Sequence, residues 1–300
     1  MVLLTHHAPR IMNYIEYETS PSLKPDPSLT LVMNYFDAHN HLQDERFAGD
    51  QAELVSAARE AGVAGMVVNG ACEADWAAVA ALGREYPDFV VPSFGYHPWY
   101  LGERTAQWRE VLSEYLNATP GAVVGEIGLD RWKEGLPYEG QEEVFLAQLE
   151  MAARRNVAAS VHCLAAWGRM HELLRSNWRP ERGFLLHSYG GSAELVRPLA
   201  KLGAYFSFPG YYLHARKVRQ REAFRQVPIE RLLVETDAPD QLLPADKESL
   251  PLRAAGTGKA LNHPGNLGAV YAAAAELRGM EKAEFATTVA ANWRRLFAKG

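Results

Sequence analysis

The sequence contains little cysteine and no long apolar run. Its two cysteines, Cys72 and Cys163, lie far apart and outside any Cys-x-x-Cys spacing, so we expect no disulfide framework. Such sparing use of cysteine indicates a reducing compartment, and the predicted location is the cytoplasm. No stretch of about 18 apolar residues occurs, which predicts no membrane-spanning segment. The first ten residues also hold too short an apolar segment for a signal peptide.

The sequence also lacks an excess of positive charge. It has 31 lysines and arginines against 36 aspartates and glutamates, a net charge of −5. This balance argues against a broadly basic coat for nucleic acid, although a local basic patch remains compatible with it. The apolar fraction of 48% is typical of a globular protein with a large core.

The first 32 residues differ in composition from the rest. Pro21, Pro25 and Pro27 stand among serines and other polar residues, a composition that does not favour a packed core. Met33 lies just before the first predicted strand. We therefore predict that residues 1–32 form a disordered or mobile extension and that residues 33–300 form a single domain.

Beyond this extension, short apolar runs rich in β-branched residues alternate with longer segments of helical period. Such alternation indicates parallel strands with right-handed crossovers, and eight units in about 260 residues predict an α/β protein with a closed (β/α)8 TIM barrel. One long irregular insertion, Ala238–Leu261, is predicted to form a lid or substrate wall. The predicted strands are Tyr35–Ala38, Val63–Asn69, Phe89–Gly95, Ala122–Ile127, Val157–His162, Phe184–His187, Ala204–Phe208 and Arg231–Glu235.

Histidines and carboxylates stand where the predicted strands end. His39 and His41 close the first strand and, in an extended chain, point the same way. Alone, this pair is equally consistent with surface histidines or with a core histidine bonded to a carbonyl. The strand ends of a barrel meet on one rim, however, and barrel enzymes place their chemistry there. The residues predicted on this rim are His39, His41, His97, Glu126, His162, His187 and Asp237.

Four histidines and two carboxylates exceed what one metal ion needs, and they predict two divalent ions bridged by a carboxylate. Mixed nitrogen and oxygen ligands accept magnesium, manganese, zinc or iron. Glu126 is the expected bridge because it comes from mid-barrel, and Asp237 is expected to bind one ion and act as general base. The predicted chemistry is metal-assisted hydrolysis.

Five motifs resemble, in order and spacing, the TatD family of metal-dependent hydrolases within the amidohydrolase superfamily. The resemblance implies a TIM barrel of the metallo-dependent hydrolase type and a deoxyribonuclease activity, often 3′-5′ exonucleolytic. It also implies that His97 lies on the substrate side near phosphate, and that the metal ligands are His39, His41, Glu126, His162, His187 and Asp237. The motifs are Asp37-Ala38-His39-Asn40-His41-Leu42, Gly95-Tyr96-His97-Pro98-Trp99, Gly125-Glu126-Ile127-Gly128-Leu129-Asp130, Leu186-His187-Ser188-Tyr189-Gly190-Gly191 and Glu235-Thr236-Asp237-Ala238-Pro239.

The chain departs from this family's pattern near the predicted site. Leu164 stands where relatives commonly carry an arginine, the natural partner of a phosphate, and Asp240 adds negative charge. His263 replaces a glutamate of the family's Asn-Glu-Pro-Ala-Asn segment. Arg131 and Lys133 follow the fourth strand, and we predict them as substrate-binding replacements for the missing arginine.

Aromatic loop residues offer a further means of binding bases. Tyr211, Tyr212 and Trp99 are predicted at the barrel mouth, where they would either stack on bases or pack on neighbouring helices. A basic run from Arg216 to Arg225 is expected to be a solvated helix face rather than a nucleic-acid surface.

Three functions are compatible with the sequence. The first is a DNase that acts on single-stranded DNA ends, as a monomer and without a protein partner. The second keeps the same metal centre but hydrolyses a small amide, ester, lactone or phosphoester, which Leu164 and Asp240 favour. The third is a barrel that has lost catalysis and serves as a binding or structural protein.

Overall fold

The computed structural model describes residues 33–47, 49–136 and 138–298. Within them, eight strands pair in parallel and in sequence order, and every crossover between consecutive strands contains an α-helix. The predicted extension, residues 1–32, lies outside the described residues. The strands are β1 (Tyr35–Asn40), β2 (Val63–Asn69), β3 (Val90–Phe94), β4 (Val123–Asp130), β5 (Ala159–Leu164), β6 (Phe184–Leu186), β7 (Ala204–Pro209) and β8 (Leu232–Glu235).

Amphipathic helices cover the outside of this sheet. In the fifth helix, Met170, Leu173 and Leu174 recur at three- and four-residue spacing, and all three are buried. None of the helices in the described part of the chain is long and apolar enough to cross a bilayer. The helices are α1 (Gln51–Glu60), α2 (Glu73–Glu85), α3 (Trp108–Ala118), α4 (Gln141–Arg155), α5 (Trp167–Ser176), α6 (Ala193–Lys201), α7 (Val218–Arg225), α8 (Leu267–Arg278) and α9 (Lys282–Phe297).

The barrel closes where the end of β8 meets the end of β1. The amide of Asp237 donates to the carbonyl of His39 at 2.9 Å, and the amide of His41 donates to the carbonyl of Ala238 at 2.8 Å. Next to them, the buried carboxylate of Asp37 accepts from the amide of Thr236 at 3.0 Å and from its hydroxyl at 2.5 Å. These bonds hold the two predicted ligand segments, around residues 39 and 237, against each other.

Most predicted elements are found within a few residues of their expected bounds. The main difference is β4, which continues three residues past Ile127 because Gly128, Leu129 and Asp130 still pair with β5. Gly128 permits this close approach, since a Cβ at that position would lie 1.9 Å from the carbonyl oxygen of His162. The insertion after β8 is also less irregular than expected. It ends in an antiparallel ribbon of β9 (Leu252–Arg253) and β10 (Ala260–Leu261).

Candidate metal centre

The predicted rim residues converge at the carboxyl ends of the strands. Glu126 lies at their centre, with its two carboxylate oxygens facing two pairs of imidazoles. Oε2 lies 3.4 Å from Nε2 of His39 and 3.3 Å from Nε2 of His41. Oε1 lies 2.8 Å from Nε2 of His187 and 3.1 Å from Nδ1 of His162. One carboxylate therefore stands between two histidine pairs that come from opposite sides of the barrel.

Hydrogen bonds on the far side of two imidazoles fix their protonation. Nδ1 of His41 faces the carbonyl oxygen of Asn69 at 2.8 Å, and Nε2 of His162 faces Oδ2 of Asp130 at 3.0 Å. Both partners can only accept, so these ring nitrogens carry the proton. In the neutral form of each ring, the nitrogen that faces Glu126 then has a free lone pair. This is the arrangement that outer partners give to metal-binding histidines.

The spacing between the imidazoles fits shared metal ions. Nε2 of His39 and Nε2 of His41 are 3.3 Å apart, and Nδ1 of His162 and Nε2 of His187 are 3.2 Å apart. Two nitrogens bound to one tetrahedral zinc ion at about 2.1 Å would be separated by about 3.4 Å. The donor set and its spacing therefore suit divalent metals.

Asp237 approaches the same cluster from the end of β8. Its backbone is in the left-handed region, with φ of 52°, and Oδ1 lies 3.6 Å from Nε2 of both His39 and His41. Its other oxygen, Oδ2, accepts from Nε2 of Gln241 at 2.6 Å. Burial raises the pKa of Asp237 to about 7, against the opposing effect of His187 and His41.

The pKa of Glu126 is shifted in the opposite direction from that of Asp237. Burial acts to raise its pKa, but the surrounding imidazoles of His187, His97 and His39 hold the pKa well below its usual range. Glu126 is therefore a stable anion at neutral pH, whereas the carboxyl group of Asp237 takes up a proton near neutrality. Such a difference between two adjacent carboxyl groups is typical of sites that transfer protons.

His97 differs from the other four histidines. Its Nδ1 accepts from the backbone amide of Trp99 at 3.1 Å, so the proton of the neutral ring is on Nε2, which lies 3.4 Å from Oε1 of Glu126. Although His97 lies within ligand distance of Glu126 and His162, its inward nitrogen is a donor and offers no lone pair. This arrangement suits contact with an anionic substrate better than metal ligation.

A cavity of about 1000 Å³ opens above the cluster, at the upper end of the size range of ligand sites. Its lining includes His97, Leu164, Trp99 and Trp132, together with Arg46, Asp240 and Gln241 from the loops after β1 and β8. Sequence reasoning missed Arg46, Gln241 and Trp132 as site residues. Their position in loops next to the predicted rim was the only available signal.

The two basic residues predicted as replacements for the missing arginine, Arg131 and Lys133, contact different parts of the protein. One Nη nitrogen of Arg131 lies 3.5 Å from Oε1 of Glu142 on α4, and both side chains are partly exposed. Nζ of Lys133 lies 3.9 Å from the ring centroid of Trp99, which lines the cavity. Lys133 thus contacts a side chain of the cavity lining, and both Lys133 and Arg131 remain predicted substrate-binding residues.

The remaining loop residues mostly pack within the protein. Tyr212 is buried, and its hydroxyl donates to the carbonyl of Ser188 at 2.6 Å. Tyr211 lies against Lys217, whose Nζ is 4.5 Å from its ring centroid. His263 is buried and accepts from the amide of Gly265 at 2.8 Å. None of these side chains lines the cavity among the described residues, so the packing interpretation of the tyrosines is correct.

Imidazoles and carboxylates gathered at the carboxyl ends of a (β/α)8 barrel define the class of metal-dependent TIM-barrel hydrolases. Residues 36–298 match the sequence pattern of a protein family described as "TatD related DNase". The chain belongs to the TatD family.

Individual relatives agree with this assignment. The "3′-5′ ssDNA/RNA exonuclease TatD" of Erwinia tasmaniensis is 31% identical over 264 residues, covering 87% of this chain and 99% of the relative. The Escherichia coli protein of the same name is 32% identical, covering 87% and 98%. Among solved structures, the TatD homologue YJJV of Escherichia coli superposes with a TM-score of 0.80 at 26% identity, covering 89% and 99%.

Proposed function

We propose that this protein is a metal-dependent 3′-5′ exonuclease that hydrolyses phosphodiester bonds at single-stranded DNA ends. The observation that carries the proposal is the placement of two imidazole pairs around Glu126, with Asp237 beside them, at the floor of one large cavity. The exonuclease activity for which the relatives are named supports the choice of substrate, because they match over nearly their whole length.

We propose that the centre holds two divalent ions, magnesium, manganese or zinc. His39, His41 and Asp237 would hold one ion, His162 and His187 would hold the other, and Glu126 would contact both. When bound, such ions lower the pKa of a water molecule and neutralise charge on the oxygens of a phosphodiester. The outward hydrogen bonds of His41 and His162 support this set, because in the neutral rings they place the proton on the outer nitrogen and direct the lone pair of the inner nitrogen at the cluster.

The protein's own groups supply proton transfer and substrate orientation. Asp237 is placed to act as general base, because its Oδ1 lies 3.6 Å from Nε2 of both His39 and His41 and so faces the cluster. Gln241 occupies one oxygen of Asp237 and leaves the other directed at the cluster. His97 presents an N–H group toward the cavity, where it would donate to a phosphate oxygen.

We further propose that residues 33–300 act as one domain, as a monomer in the cytoplasm, without need of residues 1–32. The large exposed apolar side chains in the described part of the chain are few and scattered, which supports a monomer. The two buried, unpaired cysteines support a reducing compartment.

The test is hydrolysis of a 5′-end-labelled single-stranded oligonucleotide by the full chain, with EDTA or with added manganese or magnesium. A ladder that shortens from the 3′ end, requires metal and disappears in Glu126→Ala and Asp237→Asn supports the proposal. Metal-independent cleavage would overturn it. If metal binds and DNA stays intact, a small ester or lactone becomes the better substrate class, as Leu164 in the cavity lining favours.

A further inference from the structure

Trp132 is unusual among the large apolar side chains of this protein. It is 67% exposed although it lines the cavity above the metal centre. The other exposed large apolar residues in the described part of the chain, Tyr138, Trp178 and Val218, are absent from that lining. An exposed indole at the edge of a substrate cavity leaves apolar surface in water unless a ligand covers it.

The carboxylate of Asp130 fixes the backbone turn that carries this indole. Oδ1 of Asp130 accepts from the backbone amides of Trp132 at 2.8 Å and Lys133 at 3.0 Å. Oδ2 accepts from Nε1 of Trp99 at 2.7 Å and faces Nε2 of His162 at 3.0 Å. The residue that orients a predicted metal ligand therefore also anchors the turn that carries Trp132. The backbone of Trp132 and the imidazole of His162 are thus both bonded to one carboxylate.

Positive charge lies beside this position. Lys133 follows Trp132 directly and rests on the ring of Trp99, and Arg131 precedes it. An exposed ring flanked by cations suits a ligand that has both a flat apolar face and a negative charge. A nucleotide has both, since its base stacks on aromatic rings while its phosphate pairs with basic side chains.

We propose that Trp132 stacks on an unpaired nucleobase near the 3′ end of the strand and so selects single-stranded substrate. This inference rests on the proposed nuclease function and names the group that binds the base. Inside the terminal pair, a base of a duplex has both faces covered by its neighbours, so a base next to the terminal one can lie against the indole only when the strand is unpaired. Base stacking of this kind is tolerant of sequence.

The chain offers a matched control in Trp178, which is 76% exposed and lies outside the cavity lining. We expect Trp132→Ala to raise KM for a single-stranded oligonucleotide about five- to hundredfold while kcat changes less than about threefold. Trp178→Ala should match the wild type, and Trp132→Phe should retain most of the affinity. On an oligonucleotide whose 3′-terminal nucleotides are abasic, Trp132→Ala and the wild type should have the same KM.

A binding measurement separates this subsite from the nuclease function. A phosphorothioate oligonucleotide that resists cleavage should quench the tryptophan fluorescence of the wild type and of Trp178→Ala, and quench Trp132→Ala much less. If the wild type cleaves the oligonucleotide and Trp132→Ala has the same KM, the stacking proposal alone is overturned. Quenching through Trp132 without cleavage would overturn the nuclease function alone. An equal rise in KM on normal and abasic substrates would show a structural effect and also overturn the stacking proposal.

Discussion

Arg46 and Asp240 form a bidentate ion pair at the mouth of the cavity, with one Nη nitrogen 2.8 Å from Oδ1 and the other 2.7 Å from Oδ2. Nε of the same guanidinium donates to Oδ1 of Asp44 at 2.8 Å. Asp240 was expected to add negative charge next to an anionic substrate. The ion pair compensates that charge in part, because two carboxylates share one guanidinium and leave a net charge of −1.

We predict that Asp240→Asn strengthens the binding of single-stranded DNA. Removal of the Asp240 carboxylate makes the cluster of Arg46, Asp44 and residue 240 neutral. It also frees part of the guanidinium of Arg46 for a phosphate. KM should fall about two- to fivefold at low salt, and the dependence of log KM on log salt should steepen by up to about 0.7. Asp246→Asn is the control, since it removes one charge from the same insertion outside the cavity lining. Equal effects of the two substitutions would contradict a local role.

Gln241 should act as a positioning residue for Asp237. Its amide donates to Oδ2 of Asp237 and to the hydroxyl of Ser188, which in turn donates to buried Glu235. Gln241→Leu should lower kcat about ten- to hundredfold and reduce metal content, because outer partners of ligands have effects of this size. Exposed Gln226 provides the control substitution, Gln226→Leu. Unchanged kcat and metal content in Gln241→Leu would refute this role.

Metal binding should stabilise the folded protein measurably. At a free metal concentration of about 100 times Kd, the free energy of unfolding should rise by about 2.7 kcal/mol. For a domain of this size that corresponds to an increase in Tm of about 5–10 °C. Scanning calorimetry of the protein with EDTA and with manganese measures this increase in Tm. The increase should shrink in His41→Ala and persist in His171→Ala, which removes a histidine outside the cluster. A shift of equal size in both variants would argue against the assigned ligands.

The thiols should be unreactive in the folded state. Burial raises the pKa of Cys163 far above its ordinary value and also raises that of Cys72. At any pH from 7 to 9, both therefore hold less thiolate than a free cysteine, and thiolate is the reactive form. Mass spectrometry after iodoacetamide treatment should find both unmodified in the native protein and alkylated in urea. Native alkylation of Cys163 that rises with pH across this range would contradict the assignment.

Deletion of residues 1–32 should leave function intact. The described side chains of the candidate site fall between His39 and Gln241. We expect kcat/KM for a single-stranded oligonucleotide to stay within about twofold and Tm within a few degrees. A truncated protein that folds normally by circular dichroism but loses activity would show that the extension takes part in function.

The sequence by itself determined the barrel and the set of residues on its rim. Apolar runs of strand length alternating with helical segments allow few topologies, and parallel strands bring their carboxyl ends to one edge. His39, Glu126 and Asp237 could therefore be placed together although they are far apart in the chain. The order and spacing of the motifs also identified the TatD family, and the comparison with known proteins confirms this identification.

Only the tertiary structure decided how the loops complete the site. Arg46 and Asp240 are 194 positions apart, and no local preference of the chain encodes their pairing. Gln241 reaches Asp237 through a backbone turn in which both residues have positive φ, a conformation that is uncommon for any residue other than glycine. Trp132 faces the cavity, whereas Tyr212 is buried, although both are aromatic residues in loops. Strand ends are fixed by periodic backbone pairing, but the direction of a loop side chain depends on contacts between segments distant in sequence.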